Sequence, residues 1–276
     1  MVVCAAPAAP PLLTRGVGAF FAPGDDGTLV PAPSAHSPWG DHMLHGRLLA
    51  ALAGRAVEQE AAAEGLRPVR LTADLFRAAP MEPVRVATEV VRDGRRVRTA
   101  QVVVTCAGRE VVRAAALLLR AGPQPPGRVW EPEPWSVPGP DRLEPMAPEA
   151  QDRSFLDLRP LTEGGFSAVV QKRLWVREVQ PLVAGEEPSP FVRAVAAADL
   201  ANPFSNSGDA GLAFINSDLT VYLARLPVGE WIGLEVAGRT GADGISVARC
   251  DLYDTVGGIG HCAVGSVATG LFNPPG

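Results

Sequence analysis

The sequence predicts an α+β fold built from two tandem units, each an antiparallel sheet wrapped around a long helix. Three observations lead there. A segment of the first half recurs in the second, each copy sets one helical segment ahead of a run of strands, and a proline-dense stretch separates the copies.

Particular residues carry the repeat. Leu71, Thr72, Leu75 and Arg77 recur at one constant spacing as Leu219, Thr220, Leu223 and Arg225, and a single-residue gap aligns Pro80 with Pro227. Further on, Asp93-Gly94 pairs with Asp243-Gly244, and Val97, Val102 and Gly108 fall opposite Val247, Leu252 and Gly258. One such coincidence is expected by chance; the ordered set is not.

Strands follow in each copy. Val84–Val91 alternates, Asp93-Gly94 makes a hairpin turn, and Arg98–Cys106 is β-branched. Ala107-Gly108 then turns the chain into Glu110–Leu119, helix-like in composition but placed by the repeat as a strand. The second copy gives Trp231–Ala237, a turn at Ala242-Asp243-Gly244, Ser246–Tyr253, a turn at Gly257-Gly258 and a closing strand. Ahead of the strands, the helix from His45 places Leu48, Leu49, Leu52, Ala56 and Val57 on one stripe and stops at Gly65. Its counterpart runs from Pro190 to Leu200, with Asn202-Pro203 ending it.

These elements divide the chain into a frayed terminus at 1–14, a first unit at 15–120, a linker at 121–152 pinned by Trp130 and Trp135, and a second unit at 153–276. Hydrophobic residues are 47% and charged residues 20%, which supports a packed core. A net charge of -5 leaves no basic footprint for nucleic acid. No apolar run reaches the roughly 18–20 residues of a membrane helix. Met1–Pro7 lacks a basic start, and Pro7, Pro10 and Pro11 interrupt any apolar run behind it. A signal peptide is therefore disfavoured and a cytoplasmic protein expected. The scattered Cys4, Cys106, Cys250 and Cys262 read as buried thiols.

The segments Val91–Val97, Gly108–Val111 and Phe214–Trp231, with its Ile-Asn-x-Asp-Leu-Thr and Pro-x-Gly-Glu-Trp pieces, resemble the TesB-type acyl-CoA thioesterases and the wider thioesterase-like superfamily. The resemblance spans roughly residues 16–120 and 160–272. It implies a double hotdog fold, an acyl-CoA or acyl-carrier-protein thioester as substrate, hydrolysis, and no cofactor. Oligomeric state is left open.

Thioester hydrolysis needs a base for water, a polar group to hold that water, and donors for the oxyanion. Asp199 is the candidate base: it follows an apolar Ala-Val-Ala-Ala-Ala run, where a carboxylate opposes the helix dipole, and the resemblance places the family's aspartate there. The alternative is an aspartate bonding backbone amides in the turn to Asn202, itself a substrate-binding candidate. The first-copy counterpart of Asp199 falls near Ala51, so one site per chain is expected. Asn216 resembles the family's water-binding position, with Ser217 a weaker candidate; the alternative for Asn216 is a turn cap. His42, His45 and Gly46 precede or open the first helix, whose amides could bind an oxyanion or phosphate; each histidine could equally bond loop backbone. No cysteine or carboxylate stands at zinc-ligand spacing beside them.

Alignment through Asp254–Gly265 puts Val264 where the family keeps a water-binding glutamine. That favours, as an alternative, a non-catalytic acyl-thioester-binding protein. A hotdog hydratase or dehydratase is a third reading, since Asp199-Leu-Ala-Asn-Pro-Phe-Ser-Asn approaches that pattern, although Ser205 replaces its histidine and the spacing is one residue long. No Gly-x-Ser-x-Gly elbow, phosphate loop or dinucleotide fingerprint is present. The arginines from Arg92 to Arg98 could meet a CoA phosphate or form a solvated hairpin.

Overall fold

A computed structural model describes residues 18–146 and 155–272. The segment 1–14 and residues 147–152 of the linker lie outside them. The first half opens with β1 (Phe21–Pro23) and β2 (Leu29–Pro31), then a separate ribbon of β3 (His36–Ser37) and β4 (Gly40–Leu44). Helix α1 (Gly46–Ala56) follows, extended by one π turn to Ala61, and then β5 (Leu66–Leu75), β6 (Val84–Asp93), β7 (Val97–Cys106) and β8 (Arg109–Arg120). The second half supplies β9 (Leu156–Pro160), β10 (Arg173–Glu178), α2 (Pro190–Ala198), α3 (Ala201–Asn206), β11 (Ser207–Gly208) and β12 (Gly211–Asn216). It closes with β13 (Asp218–Leu223), β14 (Ile232–Ala242), β15 (Ile245–Asp254) and β16 (Gly257–Phe272).

One antiparallel sheet joins both halves in the order β1-β2-β6-β7-β8-β5-β13-β16-β15-β14-β10-β9, with β12 also paired to β16. Read from either edge, the strands come in the same chain order. The centre is the β5–β13 pair, where Thr72 faces Thr220. The sequence repeat therefore meets itself at the middle of the sheet, which leaves neither copy with an open inner edge.

The helices lie back to back against this sheet. The stripe Leu48, Leu49, Leu52, Ala56 and Val57 is buried throughout, each large side chain contributing about 1.5–3 kcal/mol. Small residues allow close approach: a Cβ on Gly54 of α1 would sit 3.5 Å from both Phe191 and Val195 of α2. His45 caps α1 by accepting from the Arg47 amide at 3.4 Å, and Ser189 caps α2 by accepting from the Val192 amide at 3.1 Å.

Three expectations need correction. The chain does not leave the helix at Asn202-Pro203; it bends at Asp199-Leu200 and re-enters α3, whose first turn accommodates Pro203 because no intrahelical N–H is needed there. The last hairpin turns at Thr255-Val256, two residues early, where the Asp254 carboxylate accepts from the Val256 and Gly257 amides at 2.9 and 3.0 Å. Of the two linker tryptophans only Trp135 is held, stacked on Tyr253 with centroids 4.2 Å apart and edge-on to Trp175 at 4.9 Å; Trp130 is 86% exposed.

Candidate functional site

Helix geometry places the central carboxylate. Asp199 follows the last residue of α2, where the chain bends away, and is 6% exposed. Its backbone carbonyl accepts from the Asn202 amide at 3.3 Å, closing the turn. Its Oδ1 accepts from Asn216 Nδ2 at 2.9 Å, so the side chain is aimed at the end of β12.

These groups border a cavity of about 280 Å³. Asp199, Asn216 and Ser217 line it, together with His45, Gly46 and Leu49 from the start of α1. Leu75 of β5 and Val111 and Val112 of β8 make the apolar side, while Trp39 and the exposed Arg77 also line it. The first turn of α1 thus brings its positive dipole end to the same cavity as a carboxylate. Close packing shapes that turn too, since a Cβ at Gly46 would approach Leu75 Cδ1 to 3.1 Å. Beneath it, the Arg47 side chain is buried in an ion pair with Glu178, its guanidinium 5.3 Å from the Phe20 ring and 4.6 Å from that of Phe155. Burial pushes the Glu178 carboxyl up despite the opposing pull of Arg47.

Asp199, Asn216, Ser217, His45 and Gly46 therefore share one cavity. His42 stands apart: it is exposed on β4 and outside the cavity lining, its backbone carbonyl accepting from the Met81 amide at 3.2 Å. Asn202 is buried beside Asp199 but is not part of that cavity's lining. Its Nδ2 donates to the Phe214 carbonyl at 3.1 Å, and its Oδ1 accepts from Asn206 and Ser266 at 3.0 and 2.9 Å. Ser205 points at Cys250 Sγ, 3.6 Å away, and not into the cavity. The arginine hairpin meets β8 at Arg120, whose amide donates to the Arg96 carbonyl, about 26 Å along the strand from Val112.

The profile of the acyl-CoA thioesterase N-terminal domain matches residues 35–119, and that of the acyl-CoA thioesterase C-terminal domain matches residues 124–263. The chain belongs to the acyl-CoA thioesterase family. That family is one of thioester hydrolases. Among solved structures, a hot dog fold protein from Alicyclobacillus acidocaldarius superposes with a TM-score of 0.70 at 17% identity, covering 88% of this chain and 91% of that one. The acyl-CoA thioesterase II TesB2 of Mycobacterium marinum gives 0.62 at 16% identity over 83% and 90%. The tesB protein of Mycobacterium avium subs paratuberculosis gives 0.62 at 16% over 86% and 89%. No curated protein sequence matches.

In this thioesterase family member Val264 is 1% exposed on the face of β16 that turns to the helices, with Cys262 two residues before it reaching the Ala198 carbonyl at 3.7 Å. The nearest polar side chain further along that face is Ser266, directly opposite Asn216 in register. Sequence reading passed over Asp218 and Gly265, which bond each other beside the site at 2.5 Å. The Asn-Ser-Asp triplet interrupting a strand pattern was the available signal.

Among the described residues no helix is long and apolar enough to cross a membrane.

Proposed function

We propose that the chain is a double hotdog enzyme that hydrolyses an acyl-CoA or acyl-carrier-protein thioester at a single composite site between its halves. The first unit runs from 15 to 120 and the second from 153 to 276, with a surface linker between them, and the protein works in the cytoplasm. The observation that carries the site is the 2.9 Å bond from Asn216 Nδ2 to Asp199 Oδ1, in the wall of a cavity that the start of α1 also lines.

Asp199 is the general base and takes a proton from water held by Asn216, with Ser217 beside it. The resulting hydroxide attacks the thioester carbonyl, and the Gly46 amide, with His45, stabilises the oxyanion. Collapse breaks the carbon–sulfur bond; the acid and the thiol leave, and the thiolate recovers the proton. Asn202 supports the turn that carries Asp199, and His42 stands beyond the mouth as an outer substrate contact. The helix pair supports one site per chain. Counting ten positions from each helix start leads to Asp199 in α2 and to Arg55 in α1, rather than the Ala51 suggested by sequence spacing. Arg55 is locked to Glu186 by two bonds of 2.6 and 2.5 Å.

Val264 favours a second reading, in which the chain binds acyl thioesters without turning them over. Thiol release from acyl-CoAs of increasing length separates the two. Hydrolysis by the wild type, abolished in Asp199→Ala and Asp199→Asn, supports the enzyme. Saturable acyl-CoA binding with no release supports the binding protein, and full activity in Asp199→Asn removes Asp199 as base.

A further inference from the structure

Between the pairs Asn216↔Ser266 and Thr220↔Ala263 one strand advances four residues while β16 advances three. The extra residue is Ser217, so the chain carries a β-bulge immediately after Asn216. Bulges re-aim the side chains beside them, but an unpaired residue also leaves the local backbone free to shift.

Here the bulge is tied down on three sides. The Ser217 amide donates to the Gly265 carbonyl at 2.9 Å, and its hydroxyl to the same oxygen at 3.3 Å. The Leu75 amide at the end of β5 donates to the Ser217 carbonyl at 2.8 Å. The Asp218 carboxylate accepts from the Gly265 amide at 2.5 Å, and the Asp218 carbonyl accepts from Asn216 Nδ2 at 3.3 Å. That last nitrogen is the one that donates to Asp199. A Cβ at Gly265 would lie 3.0 Å from Asp218 Oδ1, tight enough that the carboxylate would have to shift by a few tenths of an ångström to admit it.

We propose that Asp218, clamped on Gly265, is a positioning residue that locks the Ser217 bulge and thereby holds the Asn216 amide on Asp199. The assignment rests on the reading of Asp199 as base. Asp218 touches no reacting atom; it acts through Asn216. The cost of the clamp is a carboxylate held half-buried and opposite Asp74 of β5.

The test compares Asp218→Ala, Asp218→Asn and Gly265→Ala with the wild type, using acyl-CoA hydrolysis per folded molecule well below the unfolding temperature. In Asp218→Ala, kcat is expected to fall on the order of tenfold with KM little changed, as for a loosened positioning group. The acid limb of the kcat/KM profile should also move up, because Asp199 loses a donor that favours its ionised form. Among the described residues, His45 and Arg77 are the other charged or titratable groups lining the cavity besides Asp199, and both are intact in every variant. Asp218→Asn should restore both readouts, since its carboxamide oxygen can still accept from Gly265, and Gly265→Ala, which displaces the carboxylate without removing it, should give a milder loss in the same direction. Folded Asp218→Ala with wild-type kcat and pH profile, while Asp199→Asn is inert, overturns the clamp alone. Full activity of Asp199→Asn overturns the base assignment instead.

Discussion

The hydroxyl of Thr220 donates to that of Thr72 at 3.1 Å, and these two threonines, 148 residues apart, are the same position of the repeated sequence. Equivalent residues meet directly only on a twofold axis, so the local axis relating the copies passes between them. The bond should therefore behave as one shared unit. Thr72→Val and Thr220→Val are each expected to cost about 0.5–1.5 kcal/mol, and the double variant little more than either alone. Urea unfolding of the four proteins measures this; fully additive losses would show the hydroxyls to be uncoupled.

Acid stability should depend on Asp254. Burial opposes its charge, but bidentate contact with Arg225 at 2.5 and 2.7 Å and bonds from the Val228, Val256 and Gly257 amides hold its pKa at about 2. The folded value lies below the ordinary 3.8, so the stabilisation is fully present above pH 4 and disappears as pH falls through about 2. It amounts to about 2 kcal/mol. Wild-type urea midpoints should drop across that window, and those of Asp254→Asn should be lower at neutral pH and flatter below pH 4.

The linker gives a paired prediction. Trp135→Ala removes the ring that stacks on Tyr253 and covers Gly233, and is expected to cost about 1–3 kcal/mol. Trp130→Ala, five residues earlier, removes an exposed ring and should stay within about 0.5 kcal/mol. Thermal unfolding of the two variants distinguishes a strap from a tether; equal shifts would contradict the assignment of Trp135 as the anchor.

Acyl length should be set one turn into α1. Leu49 lines the cavity, whereas Leu52, just as buried and three residues on, does not. Leu49→Ala is expected to move the best acyl-CoA toward longer chains by about two carbons, with a tenfold or larger change in the ratio of long to short kcat/KM. Leu52→Ala should lose stability without that change. A profile unmoved by Leu49→Ala would place the acyl group elsewhere.

The elements legible in the sequence owe their form to local chemistry. Asp93-Gly94 and Asp243-Gly244 have the turn residues, the α1 stripe has the helical period, and Glu110–Leu119 reads as a strand once its repeat partner is considered. Misjudged details turned on which side-chain partners the folded chain supplies. The Thr255-Val256 turn answers to the Asp254 carboxylate, and the fate of Trp130 and Trp135 depends on which one finds Tyr253 and Gly233.

The sequence by itself determined that two copies of one unit exist, that each places a helix before its strands, and that the first-copy counterpart of Asp199 is not a carboxylate. Repetition, periodicity and residue type are properties of the chain alone. Only the tertiary structure decided that the copies meet at Thr72 and Thr220, that Asp199 bonds Asn216 while Asn202 bonds Phe214 and Ser266, and that His42 stays outside the cavity. Those outcomes depend on strand register and on one extra residue at Ser217, because a shift of a single residue reverses the face a side chain occupies.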